Sequence, residues 1–160
     1  SYSVTGVQTC ALPISSESLG KTLANCGADL LVETLPDILD GSLIPQPQDE
    51  KLATYARTLN KEDGLLDFSQ PAQSLVNKVR AYYPWPGAFT SWHGQSLKIL
   101  KAHAVTQQTT SQPTRKRIVF EGYPAITTSD GCLVLEILQP AGKKAMDGKV
   151  FLTGARKWTE

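Results

Sequence analysis

The sequence predicts an α+β protein, because helix-period apolar patterns fill the first 40 or so residues, one amphipathic helix lies near the middle, and five short β-type runs follow it. With 41% apolar and 19% charged residues, the 160-residue chain has the composition of a folded globular protein. Its length suits one domain with a real core, or a small domain and a piece of another.

Leu19, Leu23 and Cys26 recur at helical spacing and stop at Gly27, which predicts a short first helix. Ala28, Leu31, Val32, Leu35, Ile38 and Leu39 predict a second, amphipathic helix that ends at Gly41 and is kinked by Pro36. No strand of the parallel-sheet kind precedes either helix, so the surface their apolar faces would cover is expected to be missing. "SLIPQPQDEKLATYART" reads as a proline-containing connector, with the linker set at residues 46–60.

A turn is expected at Glu62-Asp63-Gly64, then an N-cap at Ser69 and a helix with Ala72, Leu75, Val76, Val79 and Tyr83 on one face. Pro84 and Pro86 end it, while Lys78 and Arg80 fall off the apolar face and can stay solvated as it packs. The runs "AFTSWHG", "SLKILKAHAV", "RKRIVFEG", "AITTSDG" and "CLVLEIL" are split by turn residues and predict a small closed barrel. "TQQTTSQPTRK" reads as an exposed loop, and "MDGKVFLTGARKW" as a closing helix weakened by Gly148 and Gly154.

Several function classes find no support. No apolar run approaches a membrane span and no basic n-region opens the chain, so a cytoplasmic protein without a membrane partner is expected. Cys10, Cys26 and Cys132 are odd in number and form no CxxC pair, which indicates neither a disulfide framework nor a zinc site. They read as buried or incidental thiols. His93 and His103 lack Cys or carboxylate companions at ligand spacing, so no metal site is expected, and no GxSxG elbow supports a catalytic triad.

Charge is informative. Residues 1–60 hold three basic side chains against seven acidic ones, whereas residues 61–160 hold thirteen against eight, so the second part alone is basic enough to suggest an anionic partner. "PAGKKAM" lacks the first glycine and the Ser/Thr of a phosphate loop, leaving Lys143 and Lys144 as either a solvated turn or phosphate point charges. In "RAYYPWPGAF", Trp85 and Phe89 are expected to plug one end of the barrel; the functional alternative is a base stacked on an exposed aromatic beside Arg80.

"ATYARTLNKEDGLLDFSQPAQSLVNKVRAYYPWPGAF" and "LQPAGKKAM", taken in order, resemble the C-terminal half of the methionyl-tRNA formyltransferase family. The likeness begins near Ser16, where "GADLLVETLPDILDGSLIPQPQDE" resembles the last helices of that family's Rossmann-like catalytic domain. It implies remnant catalytic-domain helices over 16–45, a linker over 46–60 and an OB-like tRNA-binding domain over 61–160.

It also implies a parent enzyme, monomeric, that moves a formyl group from 10-formyltetrahydrofolate to initiator methionyl-tRNA. The family's catalytic Asn, His and Asp belong to the N-terminal domain. "HGQSLK" at His93 lacks the rest of the HxSLLPxxRG motif, so no catalytic residue and no bound cofactor are expected here.

The expected nucleic-acid contacts are Lys61, Arg80, Lys98, Lys101, Lys143 and Lys144, of which only Lys61 and the lysine pair lie in motif matches. A free-standing RNA-binding OB module and a sugar-nucleotide formyltransferase fragment are the alternatives. "LQPAGKKAM" favours the tRNA enzyme, and Phe68 in place of the family's frequent Trp is a conservative departure. Val4–Ile14, "VTGVQTCALPI", resembles nothing in the family and reads codon by codon as a translated DNA sequencing adapter. Residues 1–15 are accordingly expected to be a disordered artefact, with Cys10 neither nucleophile nor core.

Overall fold

The computed structural model describes residues 14–106 and 114–160. The reading of Val4–Ile14, Cys10 included, thus falls almost wholly outside the described residues, as does most of the expected loop "TQQTTSQPTRK".

The two expected N-terminal helices are one, α1, Ser16–Leu39. Ser15 caps it reciprocally with Ser18: the Ser18 amide donates to Ser15 Oγ at 3.2 Å, and the Ser15 amide to Ser18 Oγ at 2.9 Å. Gly27 does not end the helix, because a glycine in a helix interior costs only about 1 kcal/mol and good helix formers flank it on both sides. The helix also runs through Pro36, and the Asp40 amide closes its last turn on the Pro36 carbonyl just before Gly41. None of its residues is buried; Leu19, Leu23, Leu30, Leu31, Leu35 and Ile38 are all exposed.

The compact part begins at the Glu62-Asp63-Gly64 turn, a 3-10 turn over Lys61–Gly64. Asp63 organises it, accepting the Asn60 amide at 2.7 Å and both terminal nitrogens of Arg57 at 2.8 and 2.6 Å. Leu66 and Phe68 then drop into the core.

Helix α2, Ala72–Ala81, follows as expected but is capped differently. Ser69 does not cap it: its amide and hydroxyl both donate to Asp67. Pro71 holds the N-cap position and has no capping side chain, and the first amide, Ala72, donates instead to Asp130 Oδ1 at 2.8 Å, 58 residues away. Ala72, Leu75 and Val79 are the buried stripe that the 3.6-residue period marks out.

The strands are β1 Ala88–Trp92, β2 Gln95–Thr106, β3 Arg117–Phe120, β4 Tyr123–Thr127, β5 Gly131–Pro140 and β6 Met146–Asp147. All five expected runs are strands, and the two-residue β6 is an addition too short to show a period. The sheet is antiparallel, in the order β1-β2-β5-β4-β3, with β6 on β5. Register shifts around Lys101 bend the long β2.

Backbone pairing does not complete the expected closed barrel, since no ladder joins the short edge strands β1 and β3 among the described residues. Side chains span that seam instead. Arg117 of β3 donates from Nη2 to the Ser91 carbonyl of β1 at 3.0 Å, and Trp158 Nε1 donates to the Ile118 carbonyl at 2.8 Å. The closing helix α3, Gly148–Gly154, contributes Phe151 to the same core.

Cys132 is buried in a small satellite cluster with Ala125 and Val134, and burial pushes its thiol pKa up. It is inert packing, as expected of a free core thiol. Cys26 lies exposed on α1.

Candidate nucleic-acid interface

Both histidines have structural places. His93 stands with Gly94 in the two-residue turn of the β1–β2 hairpin, both with positive φ (48° and 73°), the geometry whose twist suits a hairpin. His103 of β2 contacts Glu136 of β5 through Nδ1 at 2.7 Å. Among the described residues, no group of three or more His, Cys, Asp or Glu is placed to hold a metal ion. No described helix is long and apolar enough to cross a membrane.

The six basic candidates divide by what holds them. Lys101 is committed to a carboxylate: its Nζ lies 2.7 Å from Glu136 Oε2, and that contact raises the ammonium pKa. Burial pushes the Glu136 carboxyl up, but hydrogen bonds from Lys101 and His103 outweigh it and leave the carboxyl below its usual value. Arg80 sits half-buried on the last turn of α2, where a cation favours the helix dipole, and donates from Nη2 to Asn77.

Lys98, Lys143 and Lys144 are exposed and have no carboxylate partner among the described residues. Two of them meet through a residue that the sequence reading overlooked. Lys98 of β2 lies opposite Gln139 of β5, and Gln139 Nε2 donates to the Lys143 carbonyl at 2.8 Å.

"PAGK" is a tight turn, not a phosphate loop: the Lys143 amide donates to the Pro140 carbonyl at 3.1 Å and Gly142 takes the positive φ (71°) that a side chain would resist. The turn joins β5 to β6, so Lys143 and Lys144 ride on a hairpin tip beside Lys98. Only strand register could have revealed Gln139, and register is invisible to a motif search.

Lys61, also exposed, opens the 3-10 turn whose last residue, Gly64, abuts the Gly87 carbonyl at the foot of the aromatic turn. Trp85 does not plug a barrel end; it is 58% exposed, while the core is sealed by Phe151 and Trp158. Phe89 is half-buried and lies opposite Lys98 in the β1–β2 register. A groove of about 260 Å³ runs between the aromatic turn and the basic strip, lined by Tyr83, Pro84, Gly87, Lys98 and Gln139.

An antiparallel sheet packed by α2 and α3 defines an α+β domain. Residues 58–156 match the family model described as formyl transferase, C-terminal domain, and the chain belongs to that family. It is 41% identical over 139 residues to the methionyl-tRNA formyltransferase of Roseiflexus castenholzii, covering 87% of this chain and 44% of that protein. The methionyl-tRNA formyltransferase of Bacillus subtilis is 42% identical over 139 residues, with 86% and 44% covered.

The chain therefore spans a little under half the length of these curated relatives. Solved structures agree on the fold. HypX from Aquifex aeolicus in complex with tetrahydrofolic acid superposes with a TM-score of 0.57 at 19% identity, over 81% of this chain and 23% of that one. A HypX variant gives 0.62 at 17% identity, over 88% and 26%.

Proposed function

We propose that this chain is the tRNA-holding, non-catalytic C-terminal part of a cytoplasmic methionyl-tRNA formyltransferase. In this reading the whole enzyme moves a formyl group from 10-formyltetrahydrofolate to initiator methionyl-tRNA, and the folate and the formyl transfer belong to the part of the enzyme outside these residues. The exposed apolar stripe of α1 suits a helix that covers the sheet of that Rossmann-like part. The curled sheet with its side-chain seam suits an OB-like barrel opened at one edge.

The observation that carries the proposal is the strip Lys98–Gln139–Lys143–Lys144, in which Lys98 on β2 and the two lysines of the adjoining β5–β6 turn are exposed cations without carboxylate partners among the described residues. Lys61 extends it toward the linker. Arg80 and Lys101 contribute less, because Asn77 and Glu136 already hold them.

Each phosphate neutralised by a side chain releases counterions and adds about 0.7 to 0.9 to the slope of log affinity against log salt. Fluorescence anisotropy of initiator tRNA across a salt series should therefore show that slope shrinking by about 2 when Lys98, Lys143 and Lys144 are all changed to Gln. Changing Lys101 to Gln should move it by well under one contact. An unchanged slope in the triple variant refutes the assignment.

A further inference from the structure

We infer that Trp85 is a stacking platform for one unpaired nucleotide of the bound RNA, with that nucleotide's phosphate carried by Lys98. The inference rests on the basic strip being the RNA-binding face and adds what kind of RNA element meets it.

Of the three tryptophans, Trp158 is buried at 2% exposure and Trp92 packs edge-on against Phe151, but Trp85 stands 58% exposed at the tip of its turn. A lone exposed aromatic is ordinary. This one has three features that an incidental exposed ring lacks.

First, it is held in place from behind. Pro84 and Pro86 fix φ on both sides of it, and the Gly87 amide donates to the Tyr82 carbonyl at 2.9 Å, closing the turn on the end of α2. The backbone has little freedom left to lose when a ligand arrives.

Second, two residues of its turn, Pro84 and Gly87, line the groove of about 260 Å³, which puts the Trp85 ring beside that groove and not within it. Third, the facing wall supplies Lys98, a cation with no carboxylate partner among the described residues, and Gln139, whose amide carries donor and acceptor together. A flat exposed ring next to a groove that holds a cation and an amide matches the base, phosphate and polar edge of a nucleotide.

Duplex RNA keeps its bases stacked and offers no free base face, whereas a single-stranded end, loop or bulge does. The platform therefore selects an unpaired element, while the neighbouring lysines accept phosphates of either kind.

The test uses the full chain and two RNA hairpins of equal phosphate number, one blunt and one with a short single-stranded tail. Trp85→Leu should weaken the tailed hairpin about tenfold, which corresponds to about 1.4 kcal/mol and lies within the range for stacking one base. It should leave the blunt hairpin within about twofold, and Lys98→Gln should weaken both. The tailed hairpin should also quench tryptophan emission, and Trp85→Phe should abolish that quench.

Equal loss on the two hairpins, no loss on the tailed one, or a quench that survives Trp85→Phe overturns the stacking site while leaving the basic strip intact. Absence of salt-dependent binding to either hairpin overturns the strip, and the platform falls with it.

Discussion

Asp130 is expected to govern the seating of α2, the helix that leads into the aromatic turn. Its Oδ1 accepts the Ala72 amide at 2.8 Å and the Thr128 hydroxyl at 3.1 Å. Pro71 at the N-cap has no side-chain acceptor to offer, so removal of Asp130 leaves the first helical amide uncapped. Loss of a cap costs about 1 kcal/mol, and stranding the buried Thr128 hydroxyl adds about 1 more. Asp130→Ala should therefore destabilise the domain by about 2 kcal/mol, a fall of roughly 8 to 16 °C in Tm for about 100 residues.

Asp130→Asn keeps the acceptor oxygen and forfeits only the charge at the helix N-terminus, a loss of about 0.5 kcal/mol. Urea unfolding should be followed by tryptophan emission, to which Trp158 buried in the sheet's core contributes, and not by far-ultraviolet circular dichroism, because the exposed α1 contributes a large helical signal of its own. An Asp130→Ala variant within about 0.5 kcal/mol of the unaltered protein, by the same bookkeeping of cap and hydroxyl, refutes the reasoning. Equal damage from Asn and Ala assigns the effect to charge and refutes the capping role.

Gly64→Ala places a methyl 2.1 Å from the Gly87 carbonyl oxygen and 3.1 Å from the Phe89 ring, so a loss of about 2 kcal/mol or more is expected in the same urea titration. Trp158→Phe keeps most of the ring but removes the indole donor to the Ile118 carbonyl, which should lower stability by about 1 kcal/mol when unfolding is followed by near-ultraviolet circular dichroism; no change would remove the seam bond from the account. Asp63 is held down to about 2, first by its hydrogen bonds from Arg57 and then by the Asn60 amide. A depressed carboxyl stabilises the fold above its ordinary titration range and loses that contribution as pH falls toward about 2, so Arg57→Met should raise the Asp63 titration seen by NMR. Glu136→Gln removes the carboxylate that occupies Lys101, and tRNA affinity should rise while its salt slope steepens; weaker binding would contradict the view of Lys101 as a neutralised cation.

The sequence was readable where a side chain's period or a turn's chemistry acts locally. The buried stripe of α2 and all five main strands follow from periods of 3.6 and 2, and Cys132 behaves as the small hydrophobe its context implies. It misled where two weak local signals had to be weighed. Gly27 and Gly41 look alike as stop signals, yet only near Gly41 does the helix end, because an interior glycine merely weakens a helix whose neighbours favour it. Ser69 looks like a cap, but Asp67 claims it, and the real cap arrives from Asp130 across the fold. The site divides in the same way. Lysines can be counted in a sequence, but whether each faces a carboxylate, as Lys101 does, or an amide, as Lys98 does, depends on strand register.

Motif strength and partner contact therefore separate in this domain. "EDG" and "PGAF", which carry much of the family likeness, converge for a steric reason: Gly64 can approach Gly87 and Phe89 only without a side chain, and the Leu66 amide then donates to the Phe89 carbonyl at 2.9 Å. That contact fixes the segment from Gly64 to Leu66 against β1 and sets the base from which the aromatic turn projects. Lys98 and Gln139, by contrast, belong to no recognisable motif, because a phosphate contact tolerates any cation that reaches it, and position along a strand is enough to supply one. On the proposed reading, the motif builds the turn that carries Trp85 and less constrained positions supply the phosphate contacts. Substitutions in the motif should accordingly lower stability and tRNA affinity together, whereas substitutions along the strip should lower affinity and leave the urea midpoint in place.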